Sequence, residues 1–133
     1  MAVGMISGAV MSAIWLMMSG FFGITAVGAG AYGWHALGED DATRHIFMMG
    51  VDYQMWHALA LFGVAWLAER GDGPTLAVVI AGWGFLIGIV LFCGSLYALG
   101  LTGETLLPGA APLGGLSFLL GWAALAWAAL GRR

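Results

Sequence analysis

Apolar residues along the chain gather into four long runs, separated by short polar knots. Taken between charged side chains, the uncharged runs cover 1–38, 53–68, 73–103 and 105–131. A bilayer core of about 30 Å is crossed by about 20 helical residues, so each run predicts one span, over 7–31, 51–68, 75–101 and 112–130. The first run exceeds the length of one perpendicular helix. It must tilt, bend or continue outside the lipid, with 32–37 at the outer interface; a tight helical hairpin within the run is the alternative. The second helix is expected to start near Asp41 or Thr43 as an amphipathic stretch reaching Gly50 before it enters the membrane. Glu69 to Pro74 reads as a turn, 100–112 as a Gly/Pro-rich loop, and Pro112 suits the first turn of the last helix. The pattern predicts an all-α membrane protein, one four-helix transmembrane domain over 1–133.

Composition removes the soluble alternative. Hydrophobic residues make up 62% of the chain and charged ones 8%, with a mean hydropathy of +0.95, against about 45–50% and about 25% in soluble domains. A net charge of -3 and the lack of any Lys exclude a nucleic-acid partner. With four spans, both termini and the 69–74 turn share one side, which collects Arg70, Arg132 and Arg133. The other side has Arg44 among Glu39, Asp40, Asp41, Asp52 and Glu104. The positive-inside rule then places both termini in the cytoplasm. No Lys or Arg precedes Arg44, so a cleaved secretory signal is not expected. The lone Cys93 excludes an intramolecular disulfide and a multi-cysteine metal site.

Small residues recur at helical spacing in two spans. Gly8, Ser12, Ser19, Gly23 and Gly30 form a stripe in the first, and Gly114, Ser117, Gly121, Ala124 and Ala128 form one in the fourth. Such stripes let helices approach closely in lipid, where the hydrophobic effect does not drive them together. The tryptophans fall mostly toward span ends, where an indole prefers the interface.

Four local patterns carry a family resemblance: Gly28-Ala29-Gly30-Ala31-Tyr32-Gly33-Trp34-His35, then Tyr53-Gln54-Met55-Trp56-His57-Ala58-Leu59-Ala60-Leu61, then Leu91-Phe92-Cys93-Gly94-Ser95-Leu96-Tyr97-Ala98-Leu99, and last Pro112-Leu113-Gly114-Gly115-Leu116-Ser117-Phe118-Leu119-Leu120-Gly121-Trp122. Their order and spacing resemble the domain of unknown function 423 family, also called the transmembrane protein 256 family, over nearly the whole chain. The resemblance implies a multi-pass protein of the bacterial cytoplasmic membrane. It supplies no catalytic residues.

The candidate chemistry lies in polar residues that the topology gathers toward the outer leaflet. His35, Gln54, His57, Ser95 and Tyr97 are expected to converge there, with His45, Asp52 and Tyr53 nearby. Polar groups in lipid face the bundle interior and find partners, so the first reading is an interhelical clamp: His57 donating to a carbonyl or to Ser95, and Gln54 bridging to His35. A second reading is a metal or haem site, because His45, Met49, Tyr53 and His57 follow at steps of four with Met48 and Met55 close by. A third is transport of a small solute, proton or lipid by an oligomer, with Asp52 or the histidines as relays. No nucleophile, base and acid recur at a recognised spacing. The reading adopted is a non-enzymatic structural or accessory membrane subunit, without cofactor or metal. Its partners are lipid and either a homo-oligomer or a larger membrane complex; a metal- or redox-related protein is the runner-up.

Overall fold

The computed structural model describes residues 2–39, 42–70 and 74–131, with the side chains of the first helix from Ser7 on. Four long helices form: α1 (Ala2–Ala36), α2 (Ala42–Ala68), α3 (Leu76–Thr102) and α4 (Ala110–Leu130). Arg132, Arg133, Asp40, Asp41 and Asp72, on which much of the charge asymmetry rests, lie outside the described residues. Ser7–Ala36, α3 and α4 are long and apolar enough to cross a membrane. The fourth long helix, α2, has 27 residues and so spans about 40 Å, but Asp52, Gln54 and His57 make it less apolar.

The first run is a single unbroken helix of 35 residues, so the hairpin alternative does not form. Because α2 starts at Ala42, Gln54 and His57 fall near the middle of a long helix and not at its outer end. The last helix starts at Ala110 with Pro112 in its first turn. Local chemistry sets the other ends. Thr75 caps α3, its Oγ1 accepting from the Val78 N–H at 3.4 Å. Gly103, at φ 73°, closes α3 by donating its N–H to the Leu99 carbonyl at 2.8 Å, a left-handed position that glycine fills without strain.

Successive helices run antiparallel. Ser19, Gly30 and Gly33 of α1 meet Ala58, Val51 and Phe47 of α2 in reverse order. Likewise α3 packs on α4, with Phe92, Gly88 and Gly84 facing Gly114, Phe118 and Gly121. The connection from α2 to α3 and the 103–109 loop therefore mark opposite ends of the bundle, named here the turn end and the loop end. Leu61, Val64, Val78, Ala81, Phe85 and Cys93 fill the core.

The α4 stripe is a true interface. A Cβ on Gly84 would lie 2.8 Å from the Gly121 Cα, so the two backbones touch. Ser117 adds a hydrogen bond to the Gly84 carbonyl at 2.8 Å, and Ala124 and Ala128 are buried. The α1 stripe is only partly one. Gly8 and Ser12 are buried and Ser19 donates to the Ala58 carbonyl at 2.8 Å, but a Cβ on Gly23 would meet nothing within 4 Å. Gly23 stands at the edge of the contact face, whose centre runs through Trp15, Phe22 and Ala26. Trp15 also departs from the expected interfacial role. It is 2% exposed, lies on the bare backbone of Gly82 and meets Trp83 edge-to-face at 5.7 Å.

A five-residue π-helical segment, Ile89–Cys93, interrupts α3. Phe85, Ile89, Cys93 and Tyr97 follow at steps of four, which carry a regular helix about 120° round its axis by the third step. The wider π turn takes back part of that rotation. It lets one helix present Phe85 to α4 and Tyr97 to α2. Ser95 donates to the Leu91 carbonyl at 2.5 Å, satisfying an acceptor within the π segment.

The contrast between Gly121 and its neighbour Leu120, which is 57% exposed, gives a direct check. Gly121→Leu forces bulk between the α3 and α4 backbones and is expected to cost about 1–3 kcal/mol or more. Leu120→Ala should stay within about 0.5 kcal/mol. Thermal unfolding in detergent measures both; equal small effects would remove the interface.

Candidate functional site

Buried donors and acceptors in a lipid-embedded fold are costly unless they find protein partners; the Trp15 Nε1 has none among the described residues, whereas the buried polar side chains of α2 are paired. Among the described residues the buried polar side chains are Ser12, Gln54 and His57. Gln54 is 4% exposed and joins three helices. Its Nε2 donates to the Phe22 carbonyl at 2.9 Å and to Thr25 Oγ1 at 2.7 Å, both on α1. Its Oε1 accepts from the Tyr97 hydroxyl of α3 at 2.7 Å. Both amide hydrogens and the carbonyl oxygen are thus engaged.

One turn further along α2, His57 makes the second junction. Its Nδ1 lies 2.6 Å from the Tyr53 carbonyl, and its Nε2 lies 3.1 Å from the Trp122 indole nitrogen of α4. A carbonyl only accepts and an indole N–H only donates, so the proton sits on Nδ1 and the Nε2 lone pair faces Trp122. The imidazole is neutral in this arrangement. Its ring stacks on Phe118 with centroids 3.5 Å apart and planes 9° from parallel. Phe85 and Tyr53 pack near its other sides.

The expected cluster therefore assembles in part. Gln54 and Tyr97 are bonded to each other and His57 lies next to them along α2. Ser95 bonds only within α3, to Leu91. His35 is exposed near the end of α1, level with Phe47; ten residues, or about 15 Å of helix, separate it from Thr25. Gln54 does bridge to α1, but the partners are Thr25 and a carbonyl. Sequence reasoning missed Thr25 because a threonine in an apolar run reads as filler, and Trp122 because a tryptophan there reads as an interfacial anchor. The available signal was that Trp122 lies one turn from Phe118, on a helix already assigned a packing face.

The ladder His45, Met49, Tyr53, His57 does not form one face. Each step of four turns a helix by about 40°, so His45 and Met49 are exposed while His57 is buried. A metal at His57 would have to displace the Trp122 N–H. No group of three His, Cys, Asp or Glu gathers among the described residues. Asp52 is exposed on α2 and points no relay into the bundle. Above the cluster, toward the loop end, Tyr32, Phe47 and Tyr97 pack in series at 5.9 and 4.9 Å, and the Arg44 guanidinium lies 4.1 Å over Trp34.

Gln54, His57 and Tyr97 of this network lie within a segment shared with known proteins, and Thr25 and Trp122 lie outside it. The profile of a family described as a protein of unknown function, DUF423, matches residues 29–115. The chain belongs to this family. The DUF423 chain is 40% identical over 119 residues to the UPF0382 membrane protein YwdK of Bacillus subtilis, covering 88% of this chain and 96% of the relative. It is 38% identical over 112 residues to a UPF0382 membrane protein of Haemophilus influenzae, covering 83% and 86%. With the UPF0382 inner membrane protein YgdD of Escherichia coli it shares 34% over 113 residues, covering 81% and 82%. No solved structure matches the chain. This DUF423 chain is a membrane protein built from helices.

The network predicts an order of effects. Gln54→Ala strands the Tyr97 hydroxyl and removes two of the bonds to α1, and should cost about 1–3 kcal/mol. Tyr97→Phe removes one bond, and Thr25→Val removes the bond from Gln54 with the local one to the Phe21 and Phe22 carbonyls; each should cost less, about 0.6 kcal/mol per interhelical bond. Unfolding midpoints of the purified variants measure the order, and a neutral Gln54→Ala would dissolve the junction.

Proposed function

We propose that this protein is a four-span structural or accessory subunit of the bacterial cytoplasmic membrane, acting through helix packing and not through a bound cofactor. The return of the chain supports four spans. α1 ends at the loop end and α3 begins at the turn end, so if both cross the bilayer, α2 must cross between them. The length of α2 permits this, and its polar residues are the ones that α1, α3 and α4 enclose. The positive-inside rule, applied to Arg70 and the two C-terminal arginines, favours a cytoplasmic turn end.

One observation carries the architectural role: the polar atoms of Gln54 and His57 are all occupied by protein partners. A ligand site keeps an open donor or lone pair, and the amide hydrogens of Gln54 and both ring nitrogens of His57 are already paired. The side of α1 facing away from the bundle supports an accessory role, since Val10, Met17, Ile24 and Val27 are largely exposed and leave a long apolar surface for lipid or a neighbouring helix.

Reporter fusions after Glu39 and Glu104 should report the outside, and fusions after Arg70 and Arg133 the cytoplasm. A cytoplasmic signal at Glu39 or Glu104 would refute the topology. For the cluster, His57→Gln should retain the fold and recover part of the stability lost in His57→Ala. Metal analysis and an absorption spectrum of the detergent-purified protein decide the rest. A stoichiometric metal or Soret band in wild type, lost in His57→Gln, would overturn the architectural reading.

A further inference from the structure

The four-helix bundle is not closed on all sides. Between α2 and α4 a cleft of about 430 Å³ opens sideways, with the stacked His57 and Phe118 at its floor and Tyr53, Trp56, Leu119 and Trp122 among its walls. Trp56, Leu119 and Trp122 are 54%, 66% and 46% exposed, so the opening faces what surrounds the bundle. Apart from Gly115 its walls are bulky. A transmembrane helix docks on small residues that admit its backbone, and the α4 small stripe is already spent against α3. A slot between large side chains suits a single flexible hydrocarbon chain instead.

One polar side chain walls the loop end of the cleft, Tyr53, and a carboxylate, Asp52, stands beside it on the outward face of α2. The Tyr53 hydroxyl makes no hydrogen bond among the described residues, although its ring packs on Trp56 and Phe92 at 4.9 and 4.7 Å. Side chains lean toward the N-terminus of their helix, which for α2 is the loop end. Asp52 is exposed one turn before Trp56, on the same side of α2. The nearest cation along the helix, Arg44, is engaged over Trp34. The depth also fits. If Arg70, 3.7 Å over Trp66, marks the inner edge of the core, about 20 residues of α2 bring the outer edge close to Gly50. Asp52 and Tyr53 then lie just inside that edge, where glycerol esters meet the acyl chains.

Resting on the four-span reading, we infer that this cleft holds one acyl chain of an amine-headed zwitterionic phospholipid, phosphatidylethanolamine, from the outer leaflet. The chain fills the slot between Phe92, Gly115 and Leu119, an ester carbonyl accepts from the Tyr53 hydroxyl, and the ammonium meets the Asp52 carboxylate. An anionic headgroup is disfavoured by the same carboxylate.

Native mass spectrometry of the full-length protein, released from detergent micelles doped with phosphatidylethanolamine or phosphatidylglycerol of identical chains, tests this. Wild type should retain phosphatidylethanolamine about tenfold better. Asp52→Asn should bring the ratio near one while leaving the thermal midpoint unchanged. Gly115→Leu should remove retention of both lipids, because a Cβ there first meets Phe92 at 4.0 Å and the added bulk enters the cleft. Equal retention by wild type, or full retention in Gly115→Leu, would overturn the proposal. Such a failure beside correct reporter signals at Glu39 and Glu104 would refute the lipid site alone, whereas wrong reporter signals would refute the topology on which it rests.

Discussion

A glutamine side chain in hydrocarbon has two donors and an acceptor that lipid cannot satisfy, and leaving them unmet costs several kcal/mol. The fold is organised around meeting that demand at Gln54. Phe22 and Thr25 hold its amide from α1 and Tyr97 holds its carbonyl from α3, so directed bonds fix the rotation of both neighbours about α2. Apolar contacts alone would not fix it, since a leucine gains nearly as much from lipid as from another helix. His57 repeats the logic toward α4, using a directed bond to Trp122 and a stacked Phe118.

Glycine supplies the complementary half of the design. Polar bonds set orientation, while Gly84 against Gly121 and Gly114 against Phe92 let α3 and α4 close to backbone contact. Both devices serve every seam between successive helices: Gly33 under Phe47, Gly50 under Tyr97 and Gly84 against Gly121 admit close approach, while Ser19, Gln54 and Ser117 add a directed bond between α1 and α2, α2 and α3, and α3 and α4. The least apolar helix is the one that all the others touch. Its composition follows from its position.

Much of this was legible in the sequence, for physical reasons that can be named. Runs free of charge mark helices long enough to cross a bilayer, and small residues at a helical period mark α4 because nothing else serves close approach. Gln54, His57 and Tyr97 stood out because polar groups in apolar runs need partners. What the sequence hid was the identity of those partners. A carbonyl such as that of Phe22 or Tyr53 has no letter of its own, and Thr25 and Trp122 each have a more common use. Rotation also misled: Gly23 and His45 sit at the right spacing from their neighbours, but drift of about 40° per four residues moves them off the face. Nor does Ile-Val-Leu-Phe-Cys hold a Pro or Gly to announce a wider turn.

That wider turn bears on how the sequence is free to vary. Without it, α3 would be a rigid rod on which every side chain has one angular position, and a change that improved its fit to α4 would rotate Tyr97 away from Gln54. With Ile89–Cys93 in its middle, the turn-end half of α3 seats Gly82 under Trp15 of α1 and Phe85 on Gly121 of α4, while the loop-end half aims Tyr97 and Gly100 at α2. A substitution that re-seats α3 on α1 and α4 before the segment can therefore leave the register of Tyr97 on Gln54 beyond it in place.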